Sequence, residues 1–544
     1  MSAIERDVDA VVIGAGFAGL YAVYKLRELG LDLQGFEAAD GVGGTWRWNC
    51  YPGCRCDVAS MEYSYSFDKE LEQEWTWKER YGAQEEILAY LEHVADRHDL
   101  RRHFRFETRV TSAVWDDDAE RWVVETDRGD RVRARFLIAA SGNLSLPNTP
   151  PFPGIDRFRG RVVHTGTWPR EGVDVSGRRV GVIGTGSSGV QVIPMLAQDA
   201  EHLYVFQRTP HFVVPAANHP LSEEYVRETK ARYDEFRREC WQTPFGFRLE
   251  VNPKSALEVS EEERNAEYQR RWDLGGPELL GAFSDIMLDE RANETCAQWV
   301  RDKIAEIVDD PETARRLQPT TYPIGAKRLV QGTGYYETYN RDNVTLVDLL
   351  EAPIVEITER GVRTEAAEYE LDVLVLATGY DGVTGPLLAL NPVGRDGLTL
   401  REAWADGPHT YLGLGVAGFP NLITVTGPGS PSVVSNFALS IEQHVDWIAD
   451  LLAHMREHGI RTVEPDPEAQ EAWTRHVREV AEPTLFTRAN SWWMGANIPG
   501  KPRVFMPYVG GVGTYRQICD DVAAKGYEGF RLTASRLPAT AAAE

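Results

Sequence analysis

Two glycine-rich motifs carry the clearest chemical signal in this sequence. The first, G-A-G-F-A-G, spans residues 14–19, and the second, G-T-G-S-S-G, spans residues 184–189. Each follows a run of buried-strand residues and precedes a helical pattern, which is the context that a dinucleotide-binding turn requires. Glycines let such a turn bend tightly, let its backbone approach a pyrophosphate and let the helix pack on the strand. In the first motif we expect Gly14 to form the tight turn, Gly16 to let the backbone approach the pyrophosphate and Gly19 to let the helix pack on the strand.

The residue that ends the next strand predicts which dinucleotide each motif binds. In the first unit it is Glu37, 18 residues after Gly19, and in the second it is Arg208, 19 residues after Gly189. A carboxylate accepts hydrogen bonds from ribose hydroxyl groups, whereas a guanidinium forms a forked pair with a phosphate. The first site is therefore predicted to bind FAD or NAD, and the second site NADP.

Three clustered cysteines, Cys50, Cys54 and Cys56, raise the question of a metal or redox site. A zinc site would need a fourth ligand and the usual C-x2-C or H-x3-H spacing, and neither is nearby. A redox disulfide of the flavin reductase type would need a C-x4-C pair directly after G-G-T. Trp46 stands in that place, and Cys50 to Cys54 is C-x3-C. The spacing argues against both functions, and no metal ligand is predicted.

The length of 544 residues predicts two or three domains, since one hydrophobic core rarely serves so long a chain. Two strand–glycine–helix units predict an α/β fold with two Rossmann-like dinucleotide-binding domains. Four prolines in residues 145–154 mark a linker, and a densely charged helical stretch follows the second unit. A buried strand before Gly379 returns the chain to the first domain. The predicted boundaries are 1–146 and 379–544 for the first domain, 147–211 and 330–378 for the second, and 212–329 for a helical insertion.

Periodicity and capping signals predict several local elements. Residues Leu31–Phe36 should form the strand that ends at Glu37, and Arg121–Thr126 should pair with Val132–Ala140 in a hairpin. A capping box is predicted at Ser260–Glu263, where a helix of the insertion begins. The last seven residues, 538–544, are expected to be disordered.

Composition and charge limit the classes of partner. Hydrophobic residues make up 42% of the chain and charged residues 26%, as in an ordinary globular protein. No apolar run is long enough for a membrane span, and the acidic first residues do not resemble a secretory signal. The formal net charge of −25 repels nucleic acid phosphates. We expect a cytoplasmic protein, monomeric or weakly homo-oligomeric, that binds neither membrane nor nucleic acid.

A segment rich in histidine and tryptophan, residues Phe158–Pro169, lies between the two glycine motifs and reads F-R-G-R-V-V-H-T-G-T-W-P. From its position it is either a surface connection between domains or a segment that gates communication between two bound dinucleotides. Its pattern, F-x-G-x-x-x-H-x-x-x-W-P, resembles the signature of type I Baeyer–Villiger monooxygenases. The matching residues are Phe158, Gly160, His164, Trp168 and Pro169.

A second pattern that resembles the same family, G-G-x-W-x-x-x-x-Y-P-G-x-x-x-D, is also present. It is met by Gly43, Gly44, Trp46, Tyr51, Pro52, Gly53 and Asp57. The resemblance extends through G-A-K-R-L to Y-E-G-F near the C-terminus, and it is greatest to the phenylacetone and steroid monooxygenase branch. Flavin-containing monooxygenases share the layout but typically lack the Trp-Pro ending.

The resemblance implies a reaction. NADPH would reduce FAD, the reduced flavin would capture O2 as a C4a-peroxide, and the peroxide would attack a ketone. The tetrahedral adduct would then rearrange to an ester or a lactone. The alternatives are a flavin-containing monooxygenase that oxidises nitrogen or sulfur, and a non-catalytic protein that senses dinucleotides.

The resemblance also implies two catalytic residues. Arg328 would be the fixed cation that stabilises the negative charge of the flavin peroxide and of the adduct. Asp57 would be the carboxylate that holds this guanidinium in place. Without the resemblance, Lys327-Arg328 is a solvated basic pair at a helix end. His164 would couple the domains rather than act as a base or a metal ligand.

The other cofactor-binding residues are implied by position. Those expected at FAD are Glu37, Thr45, Trp46, Arg47, Trp48, Asp57, Tyr63, Val110 and Phe437, with Arg55 and Cys56 also beside a cofactor. Those expected at NADP are Thr185, Gly186, Ser187, Ser188, Gly189, Val190, Gln191, Arg208, Thr209, Lys327, Arg328 and Trp492. Trp492 would lie on a mobile loop that closes over NADP, with a partly buried packing tryptophan as the alternative.

The resemblance places the substrate pocket around Asn143, Leu144 and residues 432–437. Phenylacetone-type sequences would have glutamine and methionine where this chain has Asn143 and Phe437. A bulkier ring at Phe437 would either narrow the pocket or repack it, so the preferred ketone stays open.

Overall fold

The computed structural model of the chain describes residues 3–534; the predicted disordered segment 538–544 lies outside them. In chain order the strands are β1 (Glu5–Ile13), β2 (Leu33–Phe36), β3 (Phe104–Arg105), β4 (Val110–Asp116), β5 (Arg121–Thr126), β6 (Arg131–Ala139), β7 (Arg161–His164), β8 (Arg179–Ile183), β9 (His202–Gln207), β10 (Val213–Pro215), β11 (Val330–Gly332), β12 (Val344–Asp348), β13 (Ile354–Ile357), β14 (Gly361–Thr364), β15 (Glu368–Glu370), β16 (Val373–Leu376), β17 (Leu422–Thr424), β18 (Ile460–Pro465) and β19 (Phe530–Ala534). The α-helices are α1 (Phe17–Glu28), α2 (Thr45–Trp48), α3 (Lys69–Glu74), α4 (Gln84–Arg97), α5 (Ser187–Asp199), α6 (Glu223–Ala231), α7 (Tyr233–Gln242), α8 (Glu261–Leu274), α9 (Glu290–Ile307), α10 (Pro311–Leu317), α11 (Gly385–Leu390), α12 (Leu400–Ala403), α13 (Phe437–Glu457), α14 (Pro467–Ala481) and α15 (Val512–Ala524).

The first large sheet has β1 near its centre, in the order β3-β2-β1-β6-β5-β4. Val11 and Val12 of β1 are completely buried, as expected for a parallel strand covered on both faces. Strand β6 pairs with β1 along one edge, and its other edge pairs with two different strands. Its residues 131–134 pair with β5 in the predicted hairpin, and its residues 137–139 pair with β17, far along the chain.

The second large sheet is fully parallel, in the order β12-β9-β8-β16-β7. Both glycine motifs follow inner strands, the first after β1 and the second after β8. In parallel sheets ligands bind outside the carboxyl ends of such strands, where the following helix begins. The fold thus places two equivalent binding turns in one chain.

The stretch predicted as an insertion contains helices α6 to α10. Arg237 of α7 is buried and fixes this stretch to the first unit. Its guanidinium donates to the Glu72 carboxylate at 3.0 Å and to the Glu62 carbonyl at 2.9 Å. Strands β10 and β11 pair across the predicted ends of the insertion. The exact domain boundaries stay predictions.

Two local predictions differ from the structure. Strand β2 begins at Leu33 rather than Leu31, because the Leu31 N–H donates to the Leu26 carbonyl and still closes the end of α1. At Ser260 only half of the capping box forms. The Ser260 hydroxyl accepts from the Glu263 N–H at 3.1 Å, but the Glu263 carboxylate pairs with Lys254.

Within residues 3–534 no helix combines the length and the apolar character of a membrane span. The cytoplasmic location and the monomeric or weakly oligomeric state stay predictions.

Candidate active site

The first glycine turn leaves no room for side chains at two of its three glycines. Gly14 has a φ of +102°, and a Cβ placed on it would lie 2.5 Å from the Ala140 carbonyl oxygen. A Cβ on Gly19 would overlap the Gly14 carbonyl. The second turn repeats both features, since Gly184 has a φ of +111° and Gly189 packs on the Gly184 carbonyl. Close packing of helix on strand therefore requires this glycine spacing.

The helices that follow the two turns begin without a side-chain cap. Gly16 precedes α1 and Gly186 precedes α5, and in neither first turn does a side chain accept from the backbone N–H groups. Neither first turn contains an acidic residue. The unpaired N–H groups and the positive end of each helix dipole are thus available to an anion. Both turns fit a pyrophosphate.

Glu37 is held in place by the backbone of the first unit. It is buried, and its two carboxylate oxygens accept hydrogen bonds from the Ala15 and Ala39 N–H groups, each at 2.7 Å. Burial raises the pKa of Glu37, and the backbone hydrogen bonds and Arg109 oppose this rise. A surface cleft beside it has room for the adenosine end of a dinucleotide. The cleft is lined by Ala38, Ala39, Asp40, Arg47, Trp48, Glu107, Arg109, Asp127, Arg128, Thr167, Trp168, Pro169 and Arg170.

Gly186 and Gly184 offer a matched pair of substitutions at the second turn. Apart from its two chain neighbours, no part of residues 3–534 lies within 4 Å of a Cβ placed on Gly186, so Gly186→Ala should fold normally. Its methyl group would instead keep a pyrophosphate from the backbone, and we expect the NADPH Michaelis constant to rise about tenfold, or about 1.4 kcal/mol. Steady-state kinetics and thermal unfolding measure the two effects.

Gly184→Ala is the control, because its Cβ would collide with the Ala377 carbonyl at a positive φ. It should lower the free energy of unfolding by about 1–3 kcal/mol. Equal loss of stability in both variants would contradict the assignment of Gly186 to a ligand-facing position.

Arg208, after the end of β9, and Lys327, in the predicted insertion, are close enough to repel each other and have no anionic partner within residues 3–534. The Lys327 ammonium lies over the Tyr322 ring, 4.4 Å from its centroid. Burial, together with the positive charge of Arg208, lowers the pKa of Lys327 to about 8. Two mutually repelling cations are stabilised by an anion between them, which fits a 2′-phosphate.

Lys327 should make NADP binding dependent on pH. In the free protein its pKa lies near 8, and a bound phosphate would raise it, so binding takes up a proton above pH 8. We expect the affinity for NADP+ to fall relative to that for NAD+ as the pH rises from 8 to 10. Dissociation constants measured for both dinucleotides at several pH values test this. Lys327→Arg should flatten the dependence, and a constant ratio in the wild type would contradict it.

Arg328 and Asp57 form a two-point ion pair. Nε of Arg328 donates to one carboxylate oxygen of Asp57 at 2.7 Å, and Nη2 donates to the other, also at 2.7 Å. Burial opposes the charge on Arg328, but Asp57 more than offsets it and raises the pKa of the guanidinium. The pair is half-buried, and Nη1 makes only a long contact of 3.4 Å with the Val433 carbonyl. N–H bonds on Nη1 and Nη2 thus remain for a ligand.

The Arg328–Asp57 pair forms the polar end of an apolar cavity. Its aromatic residues are Phe245, Phe247, Phe486 and Trp493. Leu249, Pro277, Leu280, Gly325, Leu329, Gln331 and Val434 complete the wall. The cavity therefore combines walls from the insertion and from the C-terminal part of the chain. A small organic molecule with one polar group facing Arg328 matches this lining.

Comparison with known proteins decides which family has this geometry. The flavin-binding monooxygenase-like family matches residues 8–226. The chain is 46% identical over 528 residues to a Baeyer–Villiger monooxygenase of Pseudooceanicola batsensis, and the alignment covers 96% of each. This chain belongs to the Baeyer–Villiger monooxygenase family. The resemblance of its two sequence patterns is thereby confirmed.

Two further comparisons extend over nearly the whole chain. A phenazine N-monooxygenase of Lysobacter antibioticus is 45% identical over 528 residues, covering 96% of this chain and 97% of the relative. The solved structure of an oxidised steroid monooxygenase bound to NADP is 55% identical and superimposes with a TM-score of 0.93, over 97% of this chain and 100% of that one. The predicted fold with two dinucleotide-binding domains is confirmed.

The second Baeyer–Villiger pattern forms the contact between the two units. Gly44 packs on Gly16 and immediately precedes α2, which consists of the predicted residues Thr45 to Trp48. A Cβ on Gly53 would lie 2.6 Å from the Gln191 carbonyl of α5. The Tyr51 hydroxyl donates to the Gln191 side chain at 2.8 Å. The pattern thus joins the first glycine turn to the helix of the second.

The Baeyer–Villiger signature segment, Phe158–Pro169, contacts both units. It supplies β7, which pairs with β16 at the edge of the second sheet. The His164 ring accepts from the Gly166 N–H at 2.9 Å, and its other nitrogen lies 3.2 Å from the Thr378 hydroxyl. Trp168 is buried, and its carbonyl accepts from the Cys50 thiol at 3.1 Å. This arrangement supports a coupling role for the segment, and His164 touches no catalytic residue.

Three predicted cofactor residues use their side chains for protein contacts. Arg47 pairs with Asp40 and Glu92, and Arg55 pairs with Glu79. Gln191 donates to the Arg55 carbonyl at 3.0 Å in addition to accepting from Tyr51. These contacts hold the three side chains in place and occupy only part of their hydrogen-bonding groups.

The other predicted residues are placed as follows. Tyr63 lies 3.2 Å from the Trp46 indole nitrogen, Cys56 is buried, and Val110 begins β4. Thr185 donates to the Thr209 carbonyl at 3.1 Å, and Ser187, Ser188, Gly189 and Val190 open α5. The Trp492 ring packs on Gly382, and Phe437 is the first residue of α13. The structure brings Arg328 and Asp57 together, whereas the cofactor roles stay proposals.

The cavity wall overlaps in part with the substrate pocket that the resemblance implied. Among the described residues, Val434 lines the cavity, but Asn143 and Phe437 do not. The Asn143 side chain donates to the Thr426 carbonyl at 3.0 Å. Sequence reasoning missed Phe245, Phe247 and Leu249. Their alternation with Gly246 and Arg248 was the available signal for one apolar face.

The cysteine cluster has a structural setting. Cys54 and Cys56 are buried and Cys50 is half-buried, and all three are free thiols. Burial raises the pKa of Cys54 to about 12, so this thiol stays protonated near neutral pH. In residues 3–534 no group of three or more His, Cys, Asp or Glu side chains could hold a metal ion.

Proposed function

We propose that this chain uses FAD, NADPH and O2 to convert ketones to esters or lactones. Membership of the Baeyer–Villiger monooxygenase family and the two different dinucleotide turns support this function. The observation that carries the proposal is the Arg328–Asp57 ion pair at the polar end of an apolar cavity. An apolar ketone, whose carbonyl group faces Arg328, fits such a site.

The described residues fit both cofactors. The first turn, with its uncapped helix start and Glu37, suits the pyrophosphate and ribose of FAD. The second turn, with Arg208 and Lys327, suits the pyrophosphate and 2′-phosphate of NADPH. When bound, FAD reduced by NADPH supplies the activated oxygen that the reaction inserts beside the carbonyl carbon.

Arg328 supplies the positive charge of the site. Its remaining N–H bonds can donate to the ketone oxygen, which becomes negative as oxygen adds to the carbonyl carbon. Asp57 orients the guanidinium through both carboxylate oxygens, so no reorganisation is needed during the reaction. The apolar wall excludes water, which strengthens the attraction between Arg328 and the developing negative charge.

The segment of residues 491–506 covers the site. Lys501 pairs with Asp381 at 2.5 Å and donates to the Gly382 carbonyl at 2.9 Å. Asn497 donates to the Tyr380 carbonyl at 2.7 Å. These contacts hold the segment on the loop that follows β16, with Trp492 packed beneath it. A closed segment keeps water from the cavity during turnover.

The test is the product of an NADPH- and ketone-dependent reaction. The purified holoprotein should oxidise NADPH faster when a ketone is added, and the ester should contain one oxygen atom from labelled O2. Flavin that NADPH cannot reduce in the absence of oxygen would contradict the proposal and favour a non-catalytic dinucleotide-binding protein.

A second candidate function is oxidation of a ring nitrogen. It is favoured by the 45% identity to a phenazine N-monooxygenase. Parallel assays with ketones and with phenazine separate the two functions. Formation of an N-oxide with no ester from any ketone would favour the second candidate.

A further inference from the structure

Two residues that line the cavity each carry a buried polar atom with no hydrogen-bond partner among the described residues. The two atoms are Oε1 of Gln331 and Nε1 of Trp493, and both residues line the cavity beside Arg328. Buried polar groups are almost always paired, because an unpaired one costs about 1–3 kcal/mol. Neither atom has a role in the chemistry assigned to Arg328 and Asp57. A ligand that pairs with them would remove this cost.

The orientation of the Gln331 amide is fixed by its neighbour. Its Nε2 donates to the Asp57 backbone carbonyl at 2.9 Å. The reverse orientation would place two oxygen atoms against each other, so the unpaired atom is the acceptor. Gln331 lies on β11, paired with Val214 of β10, and follows Arg328 closely in sequence. A rigid element thus holds this acceptor near the ion pair.

Trp493 presents the opposite hydrogen-bonding character. Its side chain is 3% exposed and packs against Phe486, with ring centroids 5.7 Å apart at 70°. An indole nitrogen can only donate. Apart from the Asp57–Arg328 pair, two residues of the cavity wall thus carry a buried unpaired polar atom, an acceptor on Gln331 and a donor on Trp493.

We propose that the cavity takes an uncharged ketone that also carries a hydroxyl group. A hydroxyl group both donates and accepts, so it can pair with Gln331 and with Trp493. Apart from the Asp57–Arg328 pair, no residue of the cavity wall is charged, which disfavours a charged substrate. This inference rests on the proposed function and narrows it, with Gln331 and Trp493 as residues that determine specificity.

The test compares the binding of matched ketones to the holoprotein with FAD and NADP+. The probes are cyclohexanone and its 2-, 3- and 4-hydroxy derivatives, titrated by the change in flavin absorbance. At least one hydroxy derivative should bind about tenfold more tightly than cyclohexanone. If the wall offered no hydrogen-bond partner, the hydroxyl group would instead weaken binding, because it would lose its hydrogen bonds to water and gain none in the cavity. The direction of the change is therefore diagnostic.

Two variants assign the effect to residues. Gln331→Leu and Trp493→Phe should each reduce the preference for the hydroxy ketone several-fold, because each removes one polar atom from the wall. Leu280→Val is the control: it changes the size of the cavity without removing a polar atom and should alter both affinities by the same factor. Trp493→Phe keeps the ring packing, so it tests the inference even if Gln331→Leu disturbs Asp57.

Several results would overturn the inference. One is that no hydroxy ketone binds more tightly than cyclohexanone, and another is an unchanged preference in both variants. A weaker affinity of Gln331→Leu for NADP+, with the preference intact, would assign the acceptor to the nicotinamide amide instead. If a hydroxy ketone bound more tightly than cyclohexanone but no ketone gave an ester, only the proposed function would be contradicted. If ketones gave esters but no hydroxy ketone bound more tightly than cyclohexanone, only this inference would be contradicted.

Discussion

Replacement of Arg328 by alanine is expected to slow ester formation by about 10²–10³-fold while NADPH still reduces the flavin. The guanidinium is the positive group at the polar end of the cavity, and its charge is needed when negative charge develops on the ketone oxygen. Loss of one such donor lowers turnover by about 10²–10³. Hydride transfer from NADPH needs no such charge. Anaerobic stopped-flow reduction and product analysis measure the two steps separately.

Arg179 provides the matched control for Arg328. It also forms a two-point pair, with Asp372, but on the exposed start of β8 and away from the cavity. Arg179→Ala should leave ester formation at the wild-type level. Arg328→Lys should recover part of the loss, because it restores the charge without the forked geometry. Undiminished ester yield in Arg328→Ala would rule out the role of this residue.

Replacement of Arg208 by alanine is expected to reduce the preference for NADPH over NADH by about 10–100-fold. A hydrogen bond to a charged group contributes about 1.5–3 kcal/mol, and Arg208 has no ion-pair partner in residues 3–534 with which to share its charge. The Michaelis constant for NADPH should rise, and that for NADH should change little. Initial rates with both cofactors give the ratio directly.

Arg178 is the control for Arg208, because it precedes β8 and so lies at the opposite end of the sheet from the glycine turn. Arg178→Ala should leave the cofactor ratio unchanged. The double variant Arg208→Ala with Lys327→Ala should lose less than the sum of the two single losses if both cations bind one phosphate. An unchanged ratio in Arg208→Ala would show that this residue does not contact the 2′-phosphate.

The two dinucleotide turns could be predicted because their signals are local. Gly14 and Gly19 are required by contacts within the turn itself, and Glu37 follows at the end of the next strand. The Arg328–Asp57 pair is different, because its partners are 271 residues apart. Only the family resemblance brought these two residues together, and the structure then showed the two-point geometry.

The cavity wall could not be predicted in this way. Phe247 and Trp493 come from distant parts of the chain, and both line the cavity only because of how the insertion packs on the first unit. A buried Arg237 fixes that packing, and nothing in its sequence neighbourhood indicates a partner at Glu72. The resemblance indicated Asn143, Leu144 and residues 432–437, of which Val434 lines the cavity. Long-range packing of an irregular segment leaves little periodicity to read.

The position of β17 has a consequence for how the protein is made. It completes the edge of the first sheet beside β6, yet β6 ends at residue 139 and β17 begins at residue 422. During synthesis the whole second sheet emerges from the ribosome before the first can be finished. The later sheet can therefore fold first, while the earlier one waits with one edge of β6 uncovered. A nascent chain released before residue 422 should retain the NADP turn but not a complete flavin domain.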